Sequence, residues 1–102
     1  MYVTVFRNRK RADMDAAAYA ADAERMEALA AKHSGFRSIK TFHAEDGEVV
    51  TITEWDSEAE AKAWGRNPDH AEVQARGRGD YYESYALFSV TDPAVRRFER
   101  QG

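Results

Sequence analysis

Seven residues carry most of the chemistry that this sequence offers. His70, Gln74 and Arg78 follow one another at intervals of four, Trp64 stands six residues before His70, Tyr81 and Tyr82 follow within four residues of Arg78, and Asn8 stands near the N-terminus. A tryptophan supplies an aromatic wall and an indole N–H that can orient an oxygen atom. An imidazole can accept a proton near neutral pH. An asparagine amide can donate to a developing oxyanion, and an arginine can pair with an anion. Together they could wall a small molecule, accept a proton and hold an anion. Trp64, Asn8 and His70 are the catalytic candidates; Gln74, Arg78, Tyr81 and Tyr82 are the substrate-binding candidates. Each has a plainer reading too. Trp64 fits a small core, Asn8 can satisfy backbone groups at a strand end, His70 can bond to Asn67, and Gln74 and Arg78 fit a solvated helix face.

The elements that position these residues read clearly. Tyr2 to Asn8 is β-branched and aromatic and predicts a strand whose two faces are both apolar. Arg9-Lys10-Arg11 reads as a solvated turn. An alanine-rich helix runs from an Asp13 N-cap to about His33, with Tyr19, Ala23, Met26, Ala30 and His33 as its buried stripe. His33 in the last turn suits a capping role against the helix dipole. Gly35 fits the left-handed position that ends the helix. Phe36–Ala44 and Val49–Trp55 predict an antiparallel hairpin around Asp46-Gly47.

Ser57 and Glu60 form a capping-box signature for a second helix, which carries Trp64. Asn67-Pro68 starts a third, running to about Arg78, with His70 in its first turn, where the positive end of the dipole lowers an imidazole pKa. Tyr81–Thr91 is the fourth strand. Strand alternation puts Tyr82 and Tyr85 on opposite faces, so at most one faces a cavity and the other faces a subunit seam.

The order β-α-β-β-α-α-β predicts an α+β, ferredoxin-like split β-α-β domain with a four-stranded antiparallel sheet over residues 1–92, followed by a charged tail, 93–102. Helices cover one sheet face. A second copy covering the other, as a homodimer built sheet to sheet, is the economical expectation. The chain has 102 residues with 43% hydrophobic content, which suits one small domain. A net charge of −3 argues against nucleic acid as the main partner. The absence of cysteine excludes disulfides and thiolate metal sites. No histidine or carboxylate stands at metal-ligand spacing around His43, so no metal is expected. No apolar run is long enough to cross a membrane, no signal peptide is read, and a cytoplasmic location is expected.

The opening strand YVTVFRN, the helix segment YAADAERMEALA, Gly35-Phe36 and the linked pieces TEWDSEAEAKAW, NPDHAEVQARGR and YYESY resemble the antibiotic biosynthesis monooxygenase domain over roughly residues 2–92. The resemblance implies a dimeric α/β barrel with one cavity per subunit, between sheet and helices. One branch of that family oxidises aromatic polyketide intermediates to quinones with O2, without metal or flavin. For this branch Trp64 carries over, and Arg78 and Tyr81 are candidates for its arginine and tyrosine. Another branch binds and degrades heme with an asparagine, a tryptophan and a histidine. Asn8 and Trp64 match the first two positions, while the histidine position holds Gln74, a poor ligand for heme iron. The resemblance therefore implies a cofactor-independent monooxygenase using O2 on a small aromatic or quinol-type molecule. A heme-binding or heme-degrading protein, or a non-catalytic dimeric small-molecule binder, is the alternative.

Overall fold

A computed structural model describes residues 1–101 of the chain. Its elements are β1 (Tyr2–Lys10), α1 (Ala16–Ala31), β2 (Phe36–His43), β3 (Val49–Trp55), α2 (Glu58–Gly65), α3 (Pro68–Arg76), a π-helical turn (Gly77–Tyr81) and β4 (Tyr82–Thr91). The four strands form one antiparallel sheet in the order β2-β3-β1-β4, as expected of a ferredoxin-like α+β domain. The helices lie over one sheet face. Their contact with it centres on Trp55 of β3, Trp64 of α2 and Ala30 of α1, with Tyr2, Met26, Leu29, Phe36 and Ala61 around them.

Local chemistry explains most of the boundaries. Asp15, rather than Asp13, caps α1 by accepting from the Ala18 N–H at 3.0 Å. Asp13 is occupied elsewhere, accepting two hydrogen bonds from the Arg11 guanidinium at 3.0 and 2.9 Å. Ser57 caps α2 through the Glu60 N–H, and Asn67 caps α3 through the N–H groups of Asp69 and His70. Pro68 takes the first turn of α3, where its missing N–H removes nothing. Helix α1 stops at Ala31, before His33, and Gly35 supplies the left-handed turn at φ 82°.

Two strands differ from the sequence expectation, for physical reasons that matter below. β1 continues to Lys10 instead of stopping at Asn8. In β4 the pairing runs regularly from Tyr2–Thr91 to Arg9–Ser84, then skips Glu83 and joins Lys10 to Tyr82. This bulge interrupts the period-2 alternation. Tyr82 and Tyr85 therefore share the helix-covered face, correcting the expectation that they point oppositely. Their rings meet each other at 5.8 Å, and each meets Phe6, at 5.3 and 5.4 Å.

The third helical segment also ends earlier than expected. α3 closes at Arg76, and the widened turn of Gly77–Tyr81 leads into β4. Gly77 is required there: a Cβ on it would lie 2.6 Å from the Tyr82 ring. After Thr91 the chain forms no further helix or strand among the described residues, and Phe98 is 82% exposed. The outer sheet face carries Val3, Val5, Val50, Ile52, Phe88 and Val90 by alternation, and among the described residues no helix or strand covers it.

Candidate functional site

Between the sheet and the helices lies a cavity of about 830 Å³. Its size falls within the range of roughly 300–1,000 Å³ usual for small-molecule sites. The sheet forms the floor through Phe6, Thr51, Thr53 and Leu87, and α1, α2 and α3 form the roof and walls. The floor is the helix-facing half of each strand, so its composition follows directly from the alternation of β1, β3 and β4.

At one end stands a tryptophan–histidine cluster. Trp64 and His70 stack with ring centres 4.6 Å apart and an interplanar angle of 25°. Trp64 also packs on Trp55, and His33 places its ring edge-on to both tryptophans at 5.8 Å. Trp64 is thus at once core and cavity wall. His33 serves as tryptophan packing, its Nδ1 lying 3.0 Å from the Ser34 carbonyl. The capping of α3 uses only the backbone N–H of His70, and its imidazole takes no part in the cap. The Nδ1 atom of that imidazole is buried without a hydrogen-bond partner. Burial pushes the His70 pKa down, opposed in part by the Trp64 backbone carbonyl, so the ring is neutral at neutral pH. Burial, rather than the helix dipole, is the main cause.

The other end is built from β1, the start of α1, the π-helical turn and β4. Tyr19, Tyr82, Tyr85 and Phe6 form a connected set of rings, and Tyr81 packs edge-on against Tyr19 at 5.3 Å. Burial raises the Tyr19 and Tyr82 pKa values, keeping both phenols protonated. Into this set projects the half-buried Lys10. Its ammonium lies 4.7 Å from the Tyr19 ring centre and 5.2 Å from that of Tyr82. It also donates a hydrogen bond to the Asn8 Oδ1.

A carboxylate clasp joins this end to the roof. Asp22 of α1 accepts from the Arg76 guanidinium at 2.9 and 2.8 Å and from the Tyr81 hydroxyl at 2.5 Å. Arg76 and then Tyr81 hold the Asp22 carboxyl down at a pKa of about 2. Two paired oxygens with three donors make Asp22 a fixed anion and a poor base.

All seven candidates from the sequence surround this one region, in different roles. Trp64, His70, Gln74, Arg78, Tyr81 and Tyr82 line the cavity. Gln74 and Arg78 are exposed along its side, while Tyr81 is 4% exposed and committed to Asp22. Asn8 is 3% exposed, lies behind the lining, and reaches the cavity through Lys10. Sequence reasoning missed Lys10 and Asp22. Extending the Tyr2–Thr4–Phe6–Asn8 alternation by two residues would have put Lys10 on the inner face. The Tyr19–Ala23–Met26 stripe likewise admits Asp22 at helical spacing. Among the described residues no group of three or more histidines and carboxylates is placed to hold a metal ion, and no helix is long and apolar enough to cross a membrane.

The geometry can be set beside known proteins. The sequence model of the antibiotic biosynthesis monooxygenase family matches residues 1–76. YqjZ of Bacillus subtilis (strain 168), an uncharacterized protein, is 36% identical over 69 residues, which is 68% of this chain and 60% of YqjZ. The match thus spans less than two thirds of that relative. The structure of Rv0793 from Mycobacterium tuberculosis superposes with a TM-score of 0.80 at 18% identity, covering 94% of this chain and 98% of Rv0793. SnoaB, a cofactor-independent oxygenase from Streptomyces nogalater, superposes with a TM-score of 0.71 at 17% identity, covering 98% of this chain and 97% of SnoaB. At such identities the two structures speak for the fold, and the family match speaks for the sequence: the chain belongs to the antibiotic biosynthesis monooxygenase family.

Proposed function

We propose that the protein is a cofactor-independent oxygenase that uses O2 to convert a small aromatic phenol, anthrone or quinol-type molecule to a quinone. The observation that carries this reading is the neutral, unpartnered Nδ1 of His70, buried beside the Trp64 ring in an aromatic-lined cavity. SnoaB, of the same fold, is a cofactor-independent oxygenase, which supports the reading. In the proposed reaction of an anthrone, the His70 imidazole takes a proton from the substrate. The electron-rich anion then reduces O2 and forms a carbon–oxygen bond at the former CH2 carbon. Loss of water from the resulting peroxide leaves the carbonyl of the quinone. One oxygen atom enters the product and the other leaves as water.

Trp64 holds the imidazole plane by stacking and walls the substrate; Tyr82 and Phe6 supply a second aromatic wall; Gln74 and Arg78 line the side. Asn8 acts as a positioning residue for Lys10. The test is oxygen uptake with anthrone under air. His70→Gln should lower the rate by about 100-fold or more, the usual contribution of a general base. An unchanged rate in that variant removes His70 from the chemistry. Heme is the weaker reading, because Gln74 places an amide where the heme branch has its imidazole. Hemin titration should give no saturable absorption shift.

We also propose that a second copy covers the outer sheet face, since Phe88 and Phe42 there are 49% and 47% exposed. Native mass spectrometry should then show a species at twice the 11.6 kDa subunit mass. Ile52→Glu should shift it to the monomer.

A further inference from the structure

We propose that Lys10 is an anion-binding residue of the cavity, and that the ligand carries an acidic group, a carboxylate or an ionised phenol, seated on its ammonium at the end remote from His70. The proposal rests on the cavity being the substrate site, as read above. A half-buried ammonium among aromatic rings is unfavourable unless something balances it. A methionine or leucine would fill the same space without that penalty. The two basic neighbours in the sequence are both balanced: Arg9 pairs with Asp46 and Arg11 with Asp13, each at 2.9 Å. Among the described residues Lys10 has no carboxylate within 4.0 Å.

The two acids on the cavity wall do not fill the gap. Asp22 is taken by Arg76 and Tyr81, and Glu27 is exposed. The ring faces of Tyr19 and Tyr82 and the Asn8 oxygen compensate the charge in part. They engage one N–H as a donor, and an ammonium has three. Arg78, on the same cavity wall and likewise without a carboxylate within 4.0 Å, adds a second positive charge. Burial lowers the Lys10 pKa, in keeping with a group whose counter-charge is missing.

Sheet register places this charge at the opposite end of β1 from the strand position that supports the tryptophan–histidine cluster. Trp55, which carries the Trp64–His70 stack, pairs with Tyr2, and Tyr82 pairs with Lys10. Eight positions of β1 separate these two pairings, which puts Lys10 and the tryptophan pair at opposite ends of the strand. The acidic group is therefore a handle distinct from the reacting proton, and it orients the aromatic ligand in the cavity.

The test uses the intact protein and binding alone. Tryptophan fluorescence would be titrated with anthracene-2-carboxylate and with the neutral anthracene-2-carboxamide, in the wild type and in Lys10→Met. The wild type should bind the carboxylate roughly tenfold more tightly than the amide, and Lys10→Met should bring the two to parity while keeping its affinity for the amide. If Lys10→Met does not fold, salt dependence in the wild type decides: added NaCl should weaken the carboxylate and leave the amide unchanged. A series of naphthols of increasing acidity separates the two sources of anion, since a phenolate site favours the most acidic member. No preference for any anion in the wild type, or a preference that survives Lys10→Met, overturns the proposal. Discrimination without oxygen uptake would remove the oxygenase reading and leave the anion site standing.

Discussion

The two ends of the cavity are both aromatic, yet they are built on opposite terms. At the Trp64 end the rings are packed into the core: Trp55 is 2% exposed and Trp64 9%. The polar group left over there is a neutral nitrogen with nothing to bond. At the Lys10 end the rings stand more open, Tyr85 being 46% exposed, and the group left over is a cation that no carboxylate of the described residues neutralises. One end combines stability with a proton acceptor, while the other contributes less to stability and more to recognition. A residue's burial alone therefore does not separate structure from function in this domain; what its polar atoms lack does.

Mutations should expose the contrast. The largest effect on stability is expected for Trp55→Ala, about 3–5 kcal/mol in urea denaturation, because a fully packed aromatic leaves a cavity at the centre of the core. Tyr85→Ala at the open end should cost well under half as much, and equal losses would break the comparison. Next comes Asp22→Asn. The buried Tyr81 hydroxyl loses its charged acceptor, for about 1–3 kcal/mol. The Asp22 carboxyl is held at about 2, below its ordinary 3.8. Its contribution is thus present above the ordinary value and is lost as pH falls from there towards about 2. Denaturation midpoints measured across that interval should converge for wild type and variant at the acid end. The smallest effect is expected for Lys10→Met, a stability change within about 0.5 kcal/mol of the wild type, together with loss of anion preference. A large destabilisation would make Lys10 a structural residue and erase the distinction between the ends.

Much of the fold was legible because its signals are local. Asn67-Pro68, Ser57, Asp46-Gly47 and Gly35 each act within a few residues, and each sits where those signals put it. Trp64 and His70 were legible as separate candidates on two helices, while their stacking depends on how the Gly65–Asn67 break turns the chain. What escaped depends on partners distant in sequence. Asp13 looked like the better N-cap until Arg11 occupied its carboxylate. Lys10 looked solvated because it stands between two arginines, and pairing with β4 is what carries β1 far enough for its alternation to turn Lys10 inward. Asp22 on an alanine helix gives no hint of Arg76 and Tyr81, which lie more than fifty positions away. The shared face of Tyr82 and Tyr85 requires the bulge, and period-2 reasoning cannot supply that.

That bulge has an electrostatic consequence. Asn8 pairs with Tyr85 and Arg9 with Ser84, so uninterrupted pairing would bring Glu83 opposite Lys10, on the same inner face. A carboxylate there would neutralise the ammonium and close the cavity end to an acidic ligand. The strand passes over Glu83, which remains exposed, and delivers an uncharged phenol in its place. Backbone register, rather than residue choice, thus sets the charge balance of the cavity floor. A single-residue shift in β4 would make the domain supply its own counter-ion.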